Sequence, residues 1–208
     1  MTVTPRVELL STPLGTARIT TEGAGGTGTL VLGHGAGGGV DAPDLLAARD
    51  AGLAAGLRVV RVEQPWRVRG GRVAEAPVRL DLAWTAILEG LDGPLVVGGR
   101  SAGARVACRT ADAVGAVAVL ALAFPLAPPA RPERTRLPEL LAPGVPRLVV
   151  QGSRDAFGVP AAGPQLEVHV VAGADHAFAV RRKDGRTAAE VRQEVVDVVT
   201  GWLRQTLT

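Results

Sequence analysis

Short uninterrupted apolar runs alternate with stretches of helical spacing along the whole chain. Val3 to Leu10 and Ala17 to Thr20 predict two short strands joined near Pro13 and Gly15. Thr29 to Leu32 predicts a buried strand that runs out into Gly33-His34-Gly35-Ala36-Gly37-Gly38-Gly39. Pro43 to Ala55 reads as a helix, with Asp41 as its expected N-cap and Gly56 as its stop. Arg58 to Val62 is the next expected strand, and Glu63 to Ala76 an irregular, Arg-rich loop. Pro77 to Leu91 places Leu80, Trp84, Ile87 and Leu88 at helical spacing.

In the second half, Pro94 to Gly98 predicts a strand and Ala102 to Ala113 a helix. Ala116 to Ala121 is uniformly apolar, as a central parallel strand is. Phe124 to Leu140 is a connector with five prolines and little room for a lid helix. Arg147 to Gln151 and Leu166 to Val171 are the last two expected strands. Thr187 to Thr206 closes the chain as a helix with Val191, Val195, Val198, Val199 and Leu203 on one stripe. Strand–helix alternation on this scale predicts an α/β fold: one domain over residues 1–208, with a mostly parallel sheet covered by helices on both faces.

Composition narrows the function classes. With 208 residues and 47% hydrophobic positions the chain can bury a sizeable core. The pI of 10.3 suggests nucleic acid, but the net charge is only +3. There is no tyrosine, and Lys183 is the only lysine, so few groups titrate above neutrality. Six aromatics are too few for a base-stacking platform, and we expect no nucleic-acid partner. The longest uncharged run, Ala113 to Ala130, is broken by Pro125, Pro128 and Pro129, so no membrane span is expected. Met1 to Leu10 lacks the apolar core of a signal peptide, and a single cysteine, Cys108, suits a reducing compartment; we expect a cytoplasmic protein.

Scarcity removes further chemistry. Lys183 lies in a polar Arg-Arg-Lys-Asp-Gly turn, unsuited to a buried Schiff base. His34, His169 and His176 have no metal-ligand spacing, so neither metal nor cofactor is expected. Gly23-Ala24-Gly25-Gly26-Thr27-Gly28 matches G-x-G-x-x-G, but a dinucleotide fingerprint follows a strand and opens a helix. This one precedes a strand and reads as a hairpin turn.

One motif carries chemistry in the right context. Gly99-Arg100-Ser101-Ala102-Gly103 is G-x-S-x-G between a predicted strand and a predicted helix. Its glycines leave room for a sharp strand-to-helix turn that exposes Ser101 at the carboxyl edge of the sheet. A serine hydroxyl needs a base. His169 lies mid-strand and reads as structural, and His34 orders its glycine-rich loop. His176, in a loop after the final strand, reaches the carboxyl edge and is the expected base. Asp155 follows the preceding strand at the same edge and is preferred as the orienting acid over Asp175, the sequence neighbour of His176. The order Ser101, Asp155, His176 is that of the α/β-hydrolases. Ala102 N–H, at a helix N-terminus, and Ala36 N–H, in the glycine-rich loop, are the expected oxyanion donors, with Gly35 next.

The whole chain resembles the α/β-hydrolase superfamily. More narrowly it resembles the small dienelactone-hydrolase-like group that includes testis-expressed and NSL-complex-subunit relatives. The resemblance rests on His34-Gly35-Ala36-Gly37-Gly38, Gly98 to Arg105, Gln151 to Gly158 and Ala174 to Phe178. It implies a serine-hydrolase fold and triad. Dienelactone hydrolases carry a cysteine nucleophile where this chain has Ser101, and Cys108 reads as a small core residue. The expected substrate is a small ester or thioester. Seven arginines on the loops bordering the edge (Arg67, Arg69, Arg72, Arg131, Arg134, Arg136 and Arg154) favour an anionic one. The alternative is a non-catalytic hydrolase-like scaffold that binds a partner protein.

Overall fold

The computed structural model describes residues 4–24 and 26–207. Its strands are β1 (Arg6–Thr12), β2 (Gly15–Glu22), β3 (Thr29–Gly33), β4 (Arg58–Glu63), β5 (Leu95–Arg100), β6 (Ala118–Leu122), β7 (Arg147–Gly152) and β8 (Leu166–Val171). They form one sheet in the order β1-β2-β4-β3-β5-β6-β7-β8. The pairs β1–β2 and β2–β4 are antiparallel, and every other pair is parallel. The helices are α1 (Pro43–Ala54), α2 (Pro65–Val68), α3 (Pro77–Leu88), α4 (Ala102–Thr110), α5 (Leu137–Leu141) and α6 (Ala188–Thr206).

Side chains alternate across each strand and feed two cores. Val31, Val97 and Val119 face α3 and α4, where Leu80, Trp84 and Val106 meet them. Leu30, Leu32, Val96 and Leu120 face the other way, toward Leu45 and Ala48 of α1 and Val191, Val195 and Val199 of α6. Each fully buried aliphatic side chain of this kind contributes about 1.5–3 kcal/mol. α6 opens on a capping box: Glu190 N–H donates to Thr187 Oγ1 at 3.2 Å, and Thr187 N–H to Glu190 Oε2 at 2.7 Å.

The chain leaves β3 for α1 on one face and leaves β5, its neighbour, for α4 on the other. Connections that part in this way open a crevice at the carboxyl edge, the place where open α/β sheets bind ligands.

The structure corrects several local expectations. β2 and β3 are separated by β4, so the glycine-rich segment between them is a crossover at the sheet edge and not a hairpin turn. Its Gly25, like Val3 of the first expected strand, lies outside the described residues. Asp41 does not cap α1. Ala42 holds the N-cap position without a side-chain bond, and the Asp41 carboxylate instead pairs with the buried Arg61 guanidinium. The Arg-rich loop contains α2, because Pro65 fixes a helical φ at the first position of that turn. The connector after β6 ends in the one-and-a-half-turn helix α5. On α6, Trp202 takes a fully buried place on the stripe, while Val198 is only partly covered. No helix among the described residues is long and apolar enough to cross a membrane.

Candidate active site

β5 runs two residues further than its apolar run suggests and turns into α4 at Ser101, whose backbone sits at φ 52°, ψ −107°. A side-chain-bearing residue with positive φ is strained and persists only where its surroundings hold it. Ser101 N–H donates to Leu122 O of β6 at 2.9 Å, which pins the turn to the neighbouring strand. The elbow also lies against β3 so closely that a Cβ on Gly99 would sit 2.5 Å from Gly33 O, and one on Gly103 would overlap the same carbonyl. Ala102, the first helical residue, has an N–H with no acceptor inside the helix.

The histidine loop is fitted against β7 in the same manner. A Cβ on Gly152 would sit 2.5 Å from Ala174 O and 2.6 Å from Asp175 O. Asp175 turns inward on its own loop and accepts from Ala177 N–H at 2.9 Å and Ala179 N–H at 3.0 Å. That leaves His176 to face the elbow. His176 Nδ1 lies 2.8 Å from Asp155 Oδ2, and Nε2 lies 3.1 Å from Ser101 Oγ. A carboxylate only accepts, so the proton is on Nδ1, and Nε2 is left to accept from the serine hydroxyl. Phe157 tilts over the imidazole with ring centroids 4.6 Å apart.

The Asp155 carboxyl is fully covered by protein. Besides His176 it accepts from Gln151 Nε2 at 2.7 Å and from Phe157 N–H at 2.9 Å. Gln151 Nε2 also reaches Phe124 O at 3.1 Å, so this amide ties the acid to the connector after β6. Arg100 performs a similar tie on the opposite side. Its Nε donates to Asp44 Oδ2 at 2.9 Å and its Nη2 to His176 O at 3.1 Å. Burial pushes the Asp44 carboxyl up, against the pull of Arg100 and the backbone N–H of Leu45. Gln151 and Arg100 were not singled out in the sequence. The available signal was a lone polar residue closing the Leu148-Val149-Val150 run and a charged residue beside the elbow serine.

The sequence-chosen residues thus converge at the carboxyl edge: Ser101, Asp155 and His176 form one hydrogen-bonded chain, with Ala102 beside it. Ala36 occupies the corner of a turn closed by Gly38 N–H to Gly35 O. His34 lies beneath that turn. Its Nδ1 meets Gly35 O at 2.8 Å and its Nε2 accepts Gln64 N–H at 3.2 Å, so the ring is neutral. Burial lowers its pKa accordingly. His169 stands apart, bonded to Glu194 Oε1 at 2.7 Å. Cys108 is in the core, its thiol pushed up to about 12 by burial. No cluster of three metal-binding side chains occurs among the described residues.

The expected cationic rim is partly spent. Arg69 pairs with Glu75, and Arg154 donates to Gly173 O and Ala179 O. Arg67 and Arg136 donate to the backbone carbonyls of Gly71 and Pro125. Among the described residues Arg72, Arg131 and Arg134 have no carboxylate partner. Arg131 and Arg134 line, with Arg136, an open cleft of about 490 Å³ on the connector.

An alpha/beta hydrolase domain family model matches residues 26–204, and the chain belongs to that family. Among solved structures, an alpha-beta serine hydrolase homologue from Coxiella burnetii shares 18% identity at a TM-score of 0.73, over 97% of this chain and 98% of that one. The α/β serine hydrolase XC6422 of Xanthomonas campestris, described as lacking a lid, shares 19% identity at 0.74, over 97% and 96%. Est1E from Butyrivibrio proteoclasticus shares 11% identity at 0.75, over 97% and 98%. These likenesses establish the fold. No curated protein sequence matches.

Proposed function

We propose that the protein is a serine hydrolase that cleaves a small ester or thioester through an acyl-enzyme. The observation that carries this reading is the chain Asp155–His176–Ser101, at 2.8 and 3.1 Å, on a strained elbow. Ser101 Oγ attacks the carbonyl carbon while its proton passes to His176 Nε2. Asp155 accepts the Nδ1–H and stabilises the imidazolium. The N–H groups of Ala102 and Ala36 receive the oxyanion. Collapse of the tetrahedral intermediate breaks the bond to the alcohol or thiol, which leaves with the proton from Nε2. Water then gives a proton to His176, attacks the acyl group and frees the acid, and Ser101 recovers its proton. The arginines of the connector cleft favour an anionic substrate.

A fluorophosphonate probe tests the reading. One covalent adduct on Ser101, lost in Ser101→Ala and in His176→Ala, is the expected result. Labelling that persists in Ser101→Ala, or wild-type protein that neither labels nor turns over any ester, overturns it and leaves the non-catalytic scaffold.

A further inference from the structure

Among the described residues the main chain of His176 makes a single hydrogen bond. Its carbonyl oxygen accepts from Arg100 Nη2 at 3.1 Å, and no backbone group bonds either its N–H or its O. The rest of the histidine loop is held from the opposite side by Arg154. Nε of that residue donates to Gly173 O at 2.8 Å, Nη2 to Ala179 O at 3.3 Å, and its backbone N–H to Ala174 O at 2.8 Å. Those bonds fix the two ends of the loop. Only Arg100 reaches the backbone of the base itself.

Arg100 is the last residue of β5 and stands directly before the nucleophile. Its three guanidinium nitrogens serve three directions. Nε donates to Asp44 Oδ2 at 2.9 Å, at the start of α1. Nη2 takes His176 O. Nη1 lies against the glycine-rich loop, where a Cβ on Gly35 would come within 3.0 Å of it. The anchor is itself fixed, because Asp44 Oδ1 accepts the N–H of Leu45 at 2.9 Å. The Arg100 side chain is 15% exposed and that of Asp44 3%. An ion pair withdrawn that far from water recovers little net stability after its desolvation. A rigid planar fork supplies geometry instead.

We propose that Arg100 is a positioning residue of the hydrolase: anchored on Asp44, its guanidinium fastens the main chain of His176 to the nucleophile elbow. The proposal rests on the hydrolase reading above. Asp155 orients the imidazole through Nδ1, and Arg100 fixes the backbone that carries it. Together they hold Nε2 at 3.1 Å from Ser101 Oγ. Because Arg100 adjoins Ser101 in the chain, base and nucleophile ride on one connected unit, and a shift of the elbow carries the base with it. Arg100 acts through His176 and not on the reacting atoms. The same guanidinium spaces the glycine-rich loop, which carries the expected Ala36 donor, from the base.

The experiment uses the full-length protein, p-nitrophenyl acetate as substrate, and a fluorophosphonate run to completion to count competent sites. Arg100→Met removes the donors but leaves the Asp44 carboxyl buried without its partner. Arg100→Met with Asp44→Asn removes that burden as well. Both should show a KM near wild type and a kcat per labelled site about 10²-fold lower, the scale of a misplacement of about 1 Å. The rate constant of labelling should fall in parallel, since it needs the same contact between His176 and Ser101. If neither folds, Arg100→Lys keeps a cation beside Asp44 without the fork, and its kcat per labelled site should fall about tenfold. A residue that only supported the fold would cost labelled sites and leave each remaining site at the wild-type rate. That result in any folded variant, or a raised KM with kcat unchanged, overturns the positioning role and spares the hydrolase reading. Wild-type protein that neither labels nor hydrolyses overturns both.

Discussion

Replacing Asp155 by Asn separates the charge of the acid from its geometry. Oδ2 receives Nδ1–H of His176 and Nε2–H of Gln151, and Oδ1 receives N–H of Phe157. All three partners are donors, so the carboxamide must turn its NH2 toward one of them. Facing Phe157 it leaves one donor unpaired; facing His176 and Gln151 it leaves two. The first orientation wins and costs about 1–3 kcal/mol of stability, the penalty of one buried unsatisfied N–H. The carboxamide oxygen then still holds His176 in the useful tautomer, and what is lost is the negative charge behind the imidazolium. A unit charge about 4 Å from another is worth about 4 kcal/mol at an effective dielectric of 20, or roughly 10³ in rate. The expected kcat for Asp155→Asn is therefore about 10³ below wild type, short of the roughly 10⁴ seen where the tautomer is also wrong. Saturation kinetics on a chromogenic ester, with urea unfolding alongside, measures both quantities. A kcat within tenfold of wild type, or a larger loss in Asp175→Asn, would refute the assignment of the acid.

Three further outcomes are expected. In Gly152→Ala the new Cβ meets Ala174 O and Asp175 O, so the histidine loop must retreat; kcat should fall while circular dichroism stays native, at a cost of about 1–3 kcal/mol. His34 has a lowered pKa because it is buried, so its contribution to stability is complete above the ordinary histidine value of about 6.5 and is lost as pH falls below it; melting temperature should drop between pH 7 and 5 more steeply in wild type than in His34→Gln. If the connector cleft attracts anions, an ester with a carboxylate on its alcohol side should outrun its neutral isostere at low salt, and both added salt and Arg131→Ala with Arg134→Ala should erase the advantage; equal rates for the two esters leave those arginines as plain surface.

Much of the site was legible because a G-x-S-x-G motif and the ends of apolar runs place its residues at one edge. Ser101 stands where an uninterrupted apolar run gives way to helical spacing, and His176 and Asp155 each follow a run that ends at the same edge. What escaped was of two kinds. Long-range partners leave no local trace: nothing near Asp41 tells that it will meet Arg61, and nothing near Gln151 tells that it will hold Asp155. Strand neighbours are equally silent, since a glycine-rich turn between two strands looks the same whether they pair or whether β4 later comes between them. β5 ran on and α2 formed for local reasons: hydrogen bonds to β3 and β6 carried the strand through Gly99 and Arg100, and proline started a helical turn inside a segment expected to be irregular.

From β5 onward each new strand is laid beside the one before it, so the sheet grows outward in the order in which the chain is made. The serine is in place early. Asp155 and His176 arrive only with the loops after β7 and β8, and α6 follows them, reaching back to α1 with Arg204 on Ala54 O at 2.8 Å, across 150 residues. Contacts of that span are slow to form. A nascent chain that stops before α6 therefore carries a bare apolar face over α1 and the sheet, a surface that invites aggregation and chaperone capture. If it stops before β8, it also lacks the loop that brings His176 to Ser101. Covering the face and completing the Asp155–His176–Ser101 chain both wait on segments made after β7, so a partly made molecule is exposed to its neighbours before its candidate site is assembled.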